Sequence, residues 1–148
     1  MEMEKCRPPC QFAARWEIAR MAIPVLLADD ATIMRQLIRE LLQARPELEV
    51  VGEAGDFAQT MRMATELKPH VVVMDLHMPS GIRTTPADIK SGLESCGSKL
   101  LAISIWNDED SRSLASDFGA LSLLNKLDLS ETLVPAILQL ALPDAEAS

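Results

Sequence analysis

Five polar residues stand directly behind short apolar runs. Asp29 and Asp30 follow "PVLLA", Asp75 follows "VVVM", Ser104 follows "LLAI" and Lys126 follows "LSLLN". A buried strand has no use for a carboxylate, but the carboxyl end of a strand in an α/β sheet does, because ligands collect there. Three carboxylates brought together repel one another, and one takes up a proton unless a cation intervenes. Mg2+ takes oxygen ligands of this kind and keeps several waters. Asp29, Asp30 and Asp75 are therefore candidate metal ligands, with the backbone carbonyl of His77 as a further oxygen. A carboxylate can also attack phosphorus and form an aspartyl phosphate. The surrounding groups then position the phosphoryl group and neutralise its charge. Asp75 is the candidate nucleophile, since it ends a central strand between the Asp pair and Lys126. Lys126 can pair with Asp75, and the Ser104 hydroxyl can hydrogen-bond a phosphoryl oxygen.

These residues share one edge only if the apolar runs are parallel strands, and the segments between them support that. "ATIMRQLIRELLQA" places Ile33, Met34, Leu37, Ile38, Leu41 and Leu42 at helical spacing. Asp30 or Thr32 is the expected cap of that helix, and Pro46 closes it. "LEVVGEA" reads as a second strand ended by Gly55, and "DFAQTMRMATEL" as a second amphipathic helix. "VVVMD" is the third strand, "PADIKSGLES" a modest helix and "KLLAIS" the fourth strand. "DEDSRSLASDF" is a helix with acidic residues at its start, where the helix dipole favours them, and Gly119 suits its C-terminal cap. "ALSLLN" is the fifth strand. "SETLVPAILQLAL" is the last helix, with Ser130 as its expected cap and Pro135 expected to kink or loosen its first turns. Five strand–helix alternations with continuous apolar strands imply an α/β fold: a five-stranded parallel sheet covered by helices on both faces.

Length and composition set the outer limits. A chain of 148 residues suits one domain. With 48% apolar residues, 3% aromatics and no Tyr, its core must be aliphatic. A net charge of −8 argues against binding nucleic acid through a general electrostatic field. Cys6 and Cys10 form "CRPPC" with no second pair to complete a zinc site, and Cys96 stands alone. This odd, sparse usage fits a reducing cytoplasm. No apolar run approaches the roughly 20 residues that a membrane span needs. Residues 1–22 read as an N-terminal extension, flexible or a short helix. Residues 23–142 read as the domain, and 143–148 as a C-terminal tail.

"VLLADD", "VVVMDLHMP", "LLAIS" and "GALSLLNK" together resemble the four signature segments of the receiver domain of two-component response regulators. "VVGEAGDFAQTMRMATELKPHVVVMDLHMP" looks most like receivers that precede helix-turn-helix output domains. The resemblance implies a flavodoxin-like, doubly wound sheet of strand order 2-1-3-4-5. It implies that Asp75 accepts a phosphoryl group from a sensor histidine kinase or phosphotransfer protein. Asp29 and Asp30 hold Mg2+, Ser104 shifts toward the phosphoryl group and Lys126 binds it. The output is a changed surface for a downstream protein partner or a homodimer, with no direct contact to nucleic acid or membrane by this chain. The implied protein is a cytoplasmic switch, not an enzyme, with slow self-dephosphorylation at most. The chain stops at Ser148 without a DNA-binding module, and its native-looking tail leads us to expect a single-domain protein.

Two departures stand out. Leu123 occupies the place, three before Lys126, where many receivers carry Tyr or Phe, and "SGIRTTPADIK" lacks the acidic turn common after Met-Pro. Two other functions compete: a pseudo-receiver working through binding or dimerisation without phosphate, and a phosphatase with an aspartyl nucleophile. Such hydrolases need an acid two positions after the nucleophile, where this chain has His77. A flavodoxin-like cofactor binder needs a phosphate loop rich in Ser, Thr and Gly, whereas "ADDAT" repels phosphate.

Overall fold

In the computed structural model the described residues are 22–79 and 84–141. Their elements alternate as β1 (Ile23–Ala28), α1 (Thr32–Gln43), β2 (Leu48–Ala54), α2 (Phe57–Leu67), β3 (Val71–Asp75), α3 (Pro86–Cys96), β4 (Lys99–Ser104), α4 (Glu109–Asp117), β5 (Ser122–Asn125) and α5 (Leu129–Ala141). A single 3-10 turn, Lys126–Asp128, joins β5 to α5. All neighbouring strands pair in parallel, in the order β2-β1-β3-β4-β5. This is the flavodoxin-like sheet that the alternation and the four segments led us to expect. The expected extension over 1–22, apart from Ala22, and the expected tail over 143–148 lie outside the described residues.

The central strands β1, β3 and β4 are mostly apolar because both of their faces are covered, whereas the edge strand β2 carries Glu49 and Glu53. Side chains of successive strand residues point to opposite faces. Leu26, Ala28, Val72, Met74, Leu100 and Ala102 meet Phe57, Ala64, Ile89, Leu93, Ala115 and Phe118 from α2, α3 and the end of α4. Val25, Leu27, Val71, Val73, Leu101 and Ile103 meet Ile38 and Leu42 of α1 and Leu129, Leu133 and Ile137 of α5. Each fully buried Leu, Ile or Val contributes about 1.5–3 kcal/mol. The scarcity of aromatics is visible in the packing: Phe57 and Phe118 stack with centroids 5.2 Å apart.

Three local expectations are corrected. Neither Asp30 nor Thr32 caps α1; Ala31 is the N-cap residue and offers no side-chain acceptor. The Asp29 carboxylate instead takes the Ala31 N–H at 2.8 Å. Ser130 does not cap α5, because the 3-10 turn carries the chain into that helix one residue earlier and leaves Ser130 inside it. The Asn125 side chain caps the turn by accepting from the Leu127 N–H at 2.9 Å. The helix then runs unbroken through Pro135, whose missing N–H removes one internal bond. On α1, Ile38 and Leu42 reach the core, whereas Ile33 and Leu37 are exposed, because the apolar stripe is wider than the face that β1, β2 and α5 cover.

Gly119 follows α4 with φ +82°, and a Cβ there would lie 2.7 Å from the Lys90 Cγ. Gly119→Ala is expected to destabilise the fold by about 1–2 kcal/mol, the cost of a left-handed backbone with a Cβ. Urea unfolding reads this directly. An unchanged midpoint would mean that the turn relaxes to another conformation.

Candidate functional site

The carboxyl edge of the sheet gathers the five residues because each follows a strand that stops at the same level. Met74 pairs with Ala28 and Ala102, and Ser104 with Asn125. Asp29 continues the ladder beyond β1, its N–H donating to the Ala54 carbonyl at 3.0 Å. Asp29 and Ser104 are fully buried, Asp75 is 5% exposed and Asp30 faces solvent. One oxygen from each of Asp29, Asp30 and Asp75 lies within 4.8 Å of the others.

Lys126 is the cation inside this cluster. Its Nζ lies 2.8 Å from Asp29 Oδ2 and 3.2 Å from Asp75 Oδ2. The sequence pointed to Asp75 as its partner; the structure adds Asp29 as the nearer one. Burial pulls the lysine toward its neutral form, but the hydrogen bonds and charges of Asp29 and Asp75 outweigh that and raise its pKa. The Asp75 pKa is also raised. Loss of solvent is the largest cause, and the Asp29 charge adds to it. Lys126 and the His77 N–H, which donates to Asp75 Oδ1 at 3.2 Å, pull the other way.

Ser104 makes no hydrogen bond to the carboxylates. Its Oγ accepts from the Trp106 N–H at 3.0 Å, so the hydroxyl proton stays available to a newcomer at the edge. The Trp106 side chain is more than half exposed and lines an open groove of about 370 Å³ with His77, Asp108, Asp110, Ser111 and Leu114. Leu123 is half-buried and packs against the core.

A hard divalent cation fits the donors present. The cluster offers only carboxylate oxygens, with no thiolate or imidazole, which suits Mg2+. The oxygens that accept from Ala31 and His77 or pair with Lys126 each keep lone pairs for a cation, and Asp30 is open to water.

Sequence reading missed Arg35 and Glu53. Arg35, one turn into α1, donates to the Asp29 carbonyl at 2.5 Å and to Glu53 Oε1 at 3.1 Å. The signal available was an arginine one turn after an acidic pair, with a glutamate near the end of the neighbouring strand.

Comparison with known proteins bears on the family and the fold. The family model described as response regulator receiver domain matches residues 25–137. The transcriptional regulatory protein LiaR of Bacillus subtilis (strain 168) is 35% identical over 117 residues, which is 78% of this chain and 54% of LiaR. A protein-glutamate methylesterase/protein-glutamine glutaminase of Shewanella denitrificans is 46% identical over 59 residues, 40% of this chain and 15% of that protein. This chain thus spans about half the length of LiaR and a much smaller share of the methylesterase. Among solved structures, the signal receiver domain of NarL from Mycobacterium tuberculosis superposes with a TM-score of 0.73 at 25% identity, covering 82% of this chain and 97% of that one.

Proposed function

The chain belongs to the response regulator receiver domain family, and from that premise we propose that it is a Mg2+-dependent phosphoacceptor switch with Asp75 as the acceptor. The observation that carries this reading is the triad Asp29–Lys126–Asp75, a lysine largely shielded from water and within ion-pair distance of both carboxylates at the sheet edge. In the proposed reaction an Asp75 oxygen attacks the phosphorus of a phosphohistidine on a sensor kinase or phosphotransfer protein. The new O–P bond forms as the P–N bond breaks, and the electron pair returns to the donor imidazole. Lys126 neutralises the incoming phosphoryl oxygens, and Ser104 donates its hydroxyl proton to one of them. Asp29, Asp30, Asp75 and the His77 carbonyl would hold Mg2+, which when bound supplies further positive charge to the phosphoryl oxygens.

The expected consequence is a changed surface for a protein partner or a second copy of the chain, in the cytoplasm, rather than turnover of a substrate. The likeness to LiaR, a transcriptional regulatory protein, supports an output in gene regulation reached through such a partner. The second reading, a pseudo-receiver, draws on the aliphatic, core-packed Leu123. The test is incubation with acetyl phosphate and Mg2+, read by intact mass. Uptake of one HPO3 unit, roughly 80 Da, that disappears with EDTA supports the switch. No uptake by folded, Mg2+-binding protein, even from a histidine-phosphorylated donor, supports the pseudo-receiver.

The raised pKa of Asp75 sets a pH dependence. Protons compete with Mg2+ and with attack on phosphorus, so both weaken as pH falls, beginning above the range of an ordinary aspartate. Metal-free stability runs the opposite way. The folded state binds the Asp75 proton more tightly than the unfolded state, so this group's penalty is fully present above its folded pKa and is relieved as pH falls through it. Mg2+ titration calorimetry across mildly acidic to neutral pH checks the first statement; a flat affinity would contradict it.

A further inference from the structure

We infer that Arg35 is a positioning residue for the cation site, holding the Asp29–Asp30 peptide so that the exposed Asp30 carboxylate faces its two buried companions. This rests on the Mg2+ reading above and deepens it. Asp29 is fixed from several sides: its N–H donates to the Ala54 carbonyl, and its carboxylate accepts from the Ala31 N–H and forms an ion pair with Lys126. Asp30 has no such support. It is exposed, and among the described residues nothing hydrogen-bonds its carboxylate. Its direction is therefore set by the backbone, and the peptide joining it to Asp29 is gripped at one atom. That atom is the Asp29 carbonyl oxygen, 2.5 Å from a terminal guanidinium nitrogen of Arg35.

The grip is itself anchored. The Arg35 Nε donates to Glu53 Oε1 at 3.1 Å, and its other terminal nitrogen reaches Thr32 Oγ1 at 3.4 Å. Arg39 holds the second oxygen of Glu53. A guanidinium beside three carboxylates would ordinarily pair with one of them and exclude a metal. Here Glu53, near the end of β2, takes up its charge and aims its fork at a carbonyl instead. Arg35 is four-fifths buried, so its geometry is held by packing as well as by charge.

Positioning and simple electrostatics predict opposite signs. Removing a cation close to an acidic site should tighten Mg2+ binding if Arg35 acts only by its charge. If Arg35 orients Asp30, its loss should weaken binding. We expect Arg35→Met to lower Mg2+ affinity about tenfold, the scale on which residues supporting metal ligands act. Arg35→Lys keeps the charge but loses the fork, and should fall between Arg35→Met and the native chain. Glu53 keeps Arg39 in both variants, so neither strands a carboxylate.

The experiment is calorimetric titration of the full chain with Mg2+, alongside a urea unfolding curve for each protein. A native chain that does not bind Mg2+ defeats the underlying function, not this inference alone. A native chain that binds, with Arg35→Met binding as tightly or more tightly, overturns the positioning role. Should Arg35→Met fail to fold, Arg35→Lys decides: native affinity overturns the role, and weakened affinity in a folded variant upholds it.

Discussion

Asp75→Asn is expected to abolish phosphoryl uptake and, in the same protein, to raise the melting temperature at neutral pH without metal. The two effects have one origin. Asp75 is buried beside Asp29, and burial together with that neighbouring charge disfavours its ionised form despite Lys126 and the His77 N–H. An amide at this position is a poor nucleophile toward phosphorus but carries no charge to desolvate or repel. Because the folded pKa lies above the unfolded one, ionising Asp75 costs stability at pH 7, and the neutral isostere removes that cost. We expect a gain on the scale of a single-site change, about 1 kcal/mol, or about 2–4 °C in a domain of this size. Lys126 keeps Asp29 as its nearer partner, so the variant leaves no stranded cation. Calorimetric melting in EDTA and intact mass after acetyl phosphate treatment read the two effects. A variant that melts lower would mean that the Asp75–Lys126 contact outweighs the repulsion from Asp29.

The second large effect concerns the cation itself. Lys126→Met keeps most of the aliphatic bulk and removes the charge, leaving two buried carboxylates facing each other. Removing one member of a buried ionic set typically costs about 3–5 kcal/mol, because the remaining charges lose their compensation. The side chains of Asp29 and Asp75 are 0% and 7% exposed, so water offers little relief. We place the loss near the lower end, about 3 kcal/mol, because one carboxylate can escape by taking up a proton. Urea unfolding in EDTA measures it. Saturating Mg2+ should restore a larger increment to the variant than to the native chain, since the metal then supplies the missing positive charge. A loss under about 1 kcal/mol would show that the lysine contributes little to holding the cluster.

Much of this arrangement is legible in the order of residue types. β2, β3 and β4 end where Gly55, the loop after Asp75 and the segment after Ser104 interrupt their apolar runs. A strand covered on both faces has no reason to alternate, so its ends are marked by the first residues that cannot be buried without a partner. Because all strands run the same way, those ends coincide, and Asp29, Asp75, Ser104 and Lys126 arrive together from patterning alone. What depends on loop backbone is not legible. The cap of α1 is decided by Asp29 turning back onto the Ala31 N–H, and the start of α5 by a 3-10 turn that Asn125 closes. Periodicity places Ile33 and Leu37 on the apolar stripe of α1 without telling how much of that stripe its neighbours cover. The Lys126 contact to Asp29 and the Arg35 grip on the Asp29 carbonyl join positions far apart or six apart, through geometry that residue spacing does not encode.

Chemical mapping of the phosphorylated residue decides whether Asp75 is the acceptor. The protein is treated with acetyl phosphate and Mg2+, reduced with borohydride, digested and sequenced by mass spectrometry. Borohydride reduces an acyl phosphate to an alcohol and leaves a phosphoester or a free carboxylate unchanged. Homoserine is expected at position 75 and nowhere else, dependent on Mg2+. Reduction at Asp29 or Asp30, or phosphate retained as a stable ester on Ser104, would contradict the assignment of Asp75 as the acceptor.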